Sequence, residues 1–426
     1  MSVLDGLLSR AAPSVPSTRT RGISFGVIVA LCLTAPALPA RADTPRPPTL
    51  EARAVLPAET FEPGPVSGTL LGTSPINGVT PPFPGQPVQG FSAVIEGGHG
   101  TFWALSDNGY GAKANSADFL LRLHHIAPAW ETAAGGPGTI TVLGYIGLSD
   151  PSHHVPFPIV NEGTADRLLT GADFDLESVR RDRHGDLWFG DEFGPFLLHT
   201  DAEGRLVEAP IPLPGVKSPS NPTLGPGEVP NLPNSRGFEG MAIAPNGTTL
   251  YPMLEGPLTT DPDQRHLTIF EFDTRSRTWT GTTWNYHLAV AGYSIGDLTA
   301  LDRHRFLVIE RDNLQGTAAA FKKVYVVDTR NLGPDEFLVK HEIVDLLSIA
   351  DPDLISLPAR PGDIGLGATF SFPFQTIESI LPLGHSRVLL LNDNNFPFSA
   401  GRNPTLPDDD EAIIVRVPGL DAKANP

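Results

Sequence analysis

Apolar residues in this chain come in short runs separated by clusters of Gly, Pro, Asp and Asn, a punctuation that predicts strands joined by turns. Leu50–Leu56 (LEARAVL) alternates apolar and polar positions in strand fashion. Further along, one pattern recurs: DLESVRRDRHGDLWFGDE from Asp175, GFEGMAIAPNGTTLYPMLE from Gly237, IGDLTALDRHRFLVIERD from Ile295 and TIESILPLGHSRVLLLNDN from Thr376. A weaker fifth copy, GFSAVIEGGHGTFWALSDNG, begins at Gly90. Each copy reads as an acidic residue, a short strand, a turn, a very apolar strand and a second acidic residue. The acid-to-acid spacings agree within loop variation: 14 from Glu177 to Asp191, 16 from Glu239 to Glu255, 13 from Asp297 to Glu310 and 15 from Glu378 to Asp393. In the first copy Ser92 takes the leading place, with Asp107 15 residues on.

Each copy continues into further strands, FLLHT and GRLVEAPI after the second, LTIFEFD and Trp279–Leu288 after the third, KVYVVD and FLVKHEIV after the fourth. Four antiparallel strands per copy define a β-propeller blade, so the predicted fold is an all-β propeller. Five copies favour five blades, with a sixth, degenerate blade as the alternative. The last copy supplies only ESILPL, RVLLLN and AIIVRV, so Leu50–Leu56 is expected to complete it and close the ring, removing an open edge. Residues 127–170 and 350–374, rich in Pro, Gly and Asp, read as long loops, and Asp408–Asp410 with Glu411 reads as a solvated loop before the last strand. The 43 Gly and 44 Pro fit a chain of many turns and few long helices.

The first 42 residues change the picture of compartment and charge. Arg10, Arg19 and Arg21 precede the apolar stretch Gly22–Leu38, which is broken at Pro36 and followed by PARA, so residues 1–42 are expected to be a signal peptide cut after Ala42. That leaves 43–426 as one domain, periplasmic or secreted. Removing the leader takes the formal charge from −18 to −21, which disfavours nucleic acid and anionic membranes and favours cations. It also removes Cys32, the single cysteine, so disulfide and thiol chemistry are excluded from the expected mature chain. No later apolar run reaches a spanning length, and a monomer is expected.

Candidate chemistry follows from the repeat. In an antiparallel hairpin the start of the first strand adjoins the end of the second, so the paired acids should converge on one mouth of the channel. Two carboxylates about 6 Å apart repel by roughly 3 kcal/mol at an effective dielectric near 20. Such a ring requires a bound cation, arginine partners or protonation. An oxygen-rich cluster without His or Cys suits a hard cation, Ca²⁺ above all.

The segments DLES…LWFGDE, GFEGMA…LEG, IGDLTAL…IERD and LLLNDNN resemble those of the phytase-like family, often described as esterase-like activity of phytase. The resemblance runs from about Gly90 to Val417 and implies an exported propeller with an acidic site acting on phosphoesters or esters. On that reading Glu177, Glu239 and Glu310 are the candidate catalytic carboxylates. Asp107, Asp191, Glu192, Glu255, Asp297, Glu378 and Asp393 are candidate metal ligands, Asp175 and Asp312 carry the same acidic mark, and Arg236 and Arg311 are candidate substrate contacts or salt-bridge partners of the ring. The expected reaction is Ca²⁺-assisted hydrolysis of a small phosphoester, a free carboxylate activating water. The alternatives are a calcium-dependent lactonase or carboxylic esterase, and a non-catalytic ligand-binding propeller. The adjacent pairs His124-His125 and His153-His154 cannot each clamp one metal from a strand, because neighbouring side chains point to opposite faces. A G-x-S-x-G match at Gly22–Gly26 lies in the leader's apolar core, outside the strand-turn-helix setting a serine nucleophile needs.

Overall fold

The computed structural model describes residues 46–420, so the expected leader and its cleavage point lie outside the described residues. Among the described residues the regular structure is strand, apart from two 3-10 turns at Thr69–Leu71 and Gly316–Ala318. Three units are separate four-stranded antiparallel sheets, and an eleven-stranded sheet holds two further antiparallel units of four, joined where Val55 pairs with Thr139. Their innermost strands are Ala93–Gly98, Leu176–Arg181, Phe238–Ile243, Ser294–Ala300 and Thr376–Gly384. Each packs against the next, and the last returns to the first. Strands stacked radially around a common axis in this way make a β-propeller.

The core explains why the second strand of each repeat is so apolar. Each unit is covered on both faces by its neighbours, so strands such as Leu187–Asp191 are buried at every position and show no alternation. One apolar layer lies at every junction of the ring. Phe189 and Val179 meet Leu105 and Leu123, Phe238 and Met241 meet Trp188 and Leu197, and Ile295 and Val308 meet Ala242 and Met253. Ile377 and Leu390 meet Leu307 and Val324, while Leu389 and Leu391 meet Val94 and Ala104.

Thr49–Leu56 closes the ring as its alternation predicts. It pairs antiparallel with Asp410–Arg416 and becomes the outer strand of the last unit, burying Leu50, Ala52, Ala54 and Leu56. Through Ala52 opposite Thr132 and Val55 opposite Thr139 it also bonds to the first unit, so it stitches the two ends of the ring together.

Two expectations are corrected. Residues 127–170 are not all loop, because Arg122–Ala129 and Thr139–Gly147 are the outer strands of the first unit. The second of these alternates, with Thr139, Thr141, Leu143 and Tyr145 exposed between more buried neighbours, a signal obscured by the Gly- and Pro-rich context. Asp408, Asp410 and Glu411 are buried rather than solvated. Asp408 accepts from the backbone of Gly401 and Arg402, and Glu411 pairs with Arg402 at 2.9 Å and Arg53 at 2.8 Å, so both charges are absorbed where the last strand begins.

Candidate active site

Four innermost strands carry a β-bulge at their first residues, lying between Leu176 and Ser178, Phe238 and Gly240, Ile295 and Asp297, and Ile377 and Ser379. A bulge releases one residue from the ladder and re-aims its side chain. The released residues are Glu177, Glu239, Gly296 and Glu378. At the ends of the partner strands stand Asp107, Glu192, Glu255, Arg311 and Asp393. All of these except Gly296, together with Asp175, surround one cavity of about 250 Å³ at a mouth of the channel. It is lined by eight carboxylates and two guanidinium groups, those of Arg236 and Arg311.

The structure therefore brings together Asp107, Glu177, Glu192, Glu239, Glu255, Glu378, Asp393, Arg236 and Arg311, all candidates from the sequence. It leaves out four others. Asp297 and Glu310 are each one residue out of step with the mouth positions of their unit, which are Gly296 and Arg311. In a strand a one-residue step turns a side chain to the other face. Asp297 accordingly meets Arg180 at 2.9 Å and accepts from the amides of Leu298 and Ile380, tying three inner strands together. Glu310, expected to be catalytic, accepts from Tyr286 Oη at 2.6 Å and the Ala289 amide at 2.6 Å, with Lys340 Nζ at 2.5 Å. Asp191, expected to be a ligand, spends its oxygens on the amides of Asp175 and Gly194. Asp312 likewise braces a loop, accepting from Lys322 and from the amides of Ala320 and Phe321.

Glycine at 296 is dictated by close approach. A Cβ there would sit 2.0 Å from the Ile377 carbonyl oxygen of the next unit. Gly296→Ala is expected to cost about 3 kcal/mol by forcing the fourth and fifth inner strands apart, which chemical denaturation would measure against the parent.

Arg311, at the end of the fourth unit's second strand, is the positive member of the ring. It lies 2.7 Å from Glu378, 3.4 Å from Glu255 and 3.5 Å from Glu239 and is 5% exposed. Arg236 lies 2.7 Å from Glu255 and donates to Ser294 Oγ, but at 29% exposure it still faces the opening. The two arginines thus differ in availability: Arg311 is committed to the ring, whereas Arg236 can also meet a ligand. His153 and His154 do not line the cavity.

Two guanidinium groups do not neutralise eight carboxylates. Burial, aggravated by neighbouring negative charge, raises Asp107 to about 8, mainly against Asp175, and Asp175 to about 7, mainly against Asp191. Asp393 rises to about 8 from burial and Asp107, and Glu378 to about 8 from burial although Arg311 opposes it. Burial likewise pushes Glu177, Glu192 and Glu239 well above the usual range, reinforced by Asp175, Glu255 and Glu378 respectively.

A cation would replace those protons. Asp107, Asp175 and Glu177 each offer an oxygen, all within 4.8 Å of one another, as do Glu177, Glu192 and Glu239. Asp175 Oδ1, Glu192 Oε1 and Glu239 Oε1 are buried without a hydrogen-bond donor, the condition a hard cation would relieve. The donor set is wholly oxygen and could hold such an ion.

A pH dependence follows. The folded carboxyls titrate near 7–8 and their unfolded counterparts near 4, so between these values the folded state binds more protons. Stability in EDTA should therefore be lost as pH rises from about 4 to about 8, a fall in Tm readable by calorimetry, and Ca²⁺ added at pH 8 should restore part of it. A Tm rising with pH over that window would contradict the assignment.

Asn108, Asn313 and Asn395 also line the cavity and were not among the sequence candidates. Asp-Asn recurs at 107–108 and 312–313, at the ends of the second strands, a signal for Asn108 and Asn313, and Asn395 follows two residues after Asp393.

The fold and site define a β-propeller with a carboxylate-ringed mouth. The Phytase-like family, described as esterase-like activity of phytase, matches residues 86–396, and the chain belongs to it. An uncharacterized secreted protein of Arthroderma benhamiae is 25% identical over 184 residues, 34% of this chain and 36% of that protein. The chain thus matches about a third of the length of this curated relative. Among solved structures, the calcium-binding protein regucalcin of Agrobacterium tumefaciens aligns at 14% identity and TM-score 0.36, covering 87% of this chain and 96% of that one. A PQQ-bound aldose sugar dehydrogenase of Streptomyces coelicolor aligns at 10% identity and TM-score 0.32, covering 87% and 100%. Likenesses this distant carry no argument about the site. Among the described residues no helix is long and apolar enough to cross a membrane.

Proposed function

We propose that this chain is an exported hydrolase of small phosphoesters whose reaction uses Ca²⁺ held at the carboxylate mouth. The observation that carries the proposal is the set Glu177, Glu192 and Glu239, one oxygen of each lying within 4.8 Å of the others, while Glu192 Oε1 is buried without a hydrogen-bond donor. Bound there, the cation would supply a Lewis acid that screens the substrate's charge and polarises its P=O oxygen. The chain's own groups would do the rest. Arg236, half-committed to Glu255 and open to the mouth, would receive a phosphate oxygen. Asp393, which belongs to neither ligand triad and whose carboxyl is raised by burial and by Asp107, would be the group that passes a proton to the leaving oxygen. A carboxylate left outside the cation's ligand set would take the proton from the attacking water. The leader expected over residues 1–42 places this activity in the periplasm or outside the cell, with a monomer as the working unit.

The test is release of p-nitrophenol from p-nitrophenyl phosphate or its diester by purified protein, with loss of turnover in EDTA and recovery with Ca²⁺. Turnover of lactones or carboxylic esters alone would transfer the site to the esterase reading. Calcium binding without turnover of either class would leave a ligand-binding propeller.

A further inference from the structure

A different set of ligands lies on the second unit, at the end of the hairpin opposite the mouth. The turn joining Leu176–Arg181 to Leu187–Asp191 carries Asp182 and Asp186, and the third strand, Phe196–Thr200, carries His199. One ligand atom from each lies within 4.8 Å of the others. His199 is 6% exposed, and its Nε2, 3.5 Å from Asp186 Oδ2, makes no hydrogen bond. Its Nδ1 lies 2.7 Å from Glu208 Oε1, a pairing in which Nδ1–H donates to the carboxylate and Nε2 faces Asp186. A histidine steadied by a carboxylate through its other nitrogen is the usual second shell of a metal ligand.

The other members are equally fixed. The imidazole stacks on Trp188 with centroids 4.0 Å apart and planes 10° apart. Trp188 Nε1 donates to Asp182 Oδ2 at 3.3 Å, while Asp182 Oδ1 accepts the amides of His184 at 2.8 Å and Asp186 at 3.2 Å. Arg277 Nε, 3.3 Å from Glu208 Oε1, holds Glu208 in turn. Asp186 is 37% exposed, which leaves a side open for water to complete the coordination.

We infer that Asp182, Asp186 and His199 form a second metal site, for a borderline divalent transition cation such as Zn²⁺. One imidazole nitrogen with two carboxylates prefers such an ion to Ca²⁺, whereas the mouth offers oxygen alone. Binding pins the hairpin turn to the third strand of the same unit.

The test is calorimetric titration of purified protein with Zn²⁺ under saturating Ca²⁺, which occupies the oxygen-only mouth. One tight equivalent of Zn²⁺ is expected, accompanied by a rise in Tm. His199→Gln and Asp186→Asn should each weaken that equivalent at least about tenfold, and Glu239→Gln should leave it unchanged. Asp186 is partly exposed, so its variant should fold as the parent does by circular dichroism and decides the matter if His199→Gln does not fold. Absence of tight Zn²⁺ binding, an equivalent that survives Asp186→Asn, or one removed by Glu239→Gln, would overturn the assignment.

Discussion

Arg311→Met should lower the unfolding free energy at pH 8 in EDTA by about 3–5 kcal/mol, the cost of removing one partner from a buried ionic cluster. The guanidinium stands within 3.5 Å of Glu378, Glu255 and Glu239, whereas the cavity's other guanidinium, that of Arg236, pairs with Glu255. The loss should shrink towards pH 5, because Glu378 and Glu239, both raised by burial, bind protons as the pH falls and the uncompensated charge diminishes. Denaturant titrations at the two pH values measure both terms. A variant equally destabilised at each pH would mean that Arg311 contributes by packing and not by charge.

Glu239→Gln should act in the opposite sense on stability. The substitution is isosteric and removes one buried negative charge, so at pH 8 in EDTA Tm should hold or rise. Ca²⁺ affinity should fall by more than about tenfold, since ligand charge sets affinity at oxygen sites, and phosphoesterase turnover should fall with it. Glu310→Gln serves as the control, because Glu310 faces Tyr286, Ala289 and Lys340 and not the cavity. Calcium calorimetry on the two variants decides. If Glu239→Gln unfolds the protein without altering calcium affinity, the ring only braces the inner strands.

These opposite signs show how the mouth is organised. Burial has concentrated like charge where the inner strands converge, and two arginines compensate only part of it. The remainder is met by protons in the chain alone and by a divalent ion in the proposed working state. The bulges bring this about: they release Glu177, Glu239 and Glu378 from the ladders, while the fourth unit has Gly296 in that place and contributes Arg311 from its second strand.

The propeller was legible in the chain because its signal is local and repeated. Acid, strand, turn and apolar strand recur with nearly constant spacing, and the alternation of Leu50–Leu56 marks the strand that closes the ring. Composition and the repeated Asp and Glu at strand ends likewise pointed to an acidic mouth, and its charged lining residues were among the sequence candidates, whereas its asparagines were not. What spacing could not give was register. Asp297 and Glu310 satisfied the repeat to within one residue, yet in a pleated strand one residue is the difference between the channel and the interior of a unit. Only the folded ring decided that Gly296 and Arg311 hold the fourth place at the mouth and that Asp191 serves backbone amides. Only the fold, too, set His199 beside Asp182 and Asp186, because contacts between a turn and a neighbouring strand depend on pairing across the sheet and not on distance along the chain.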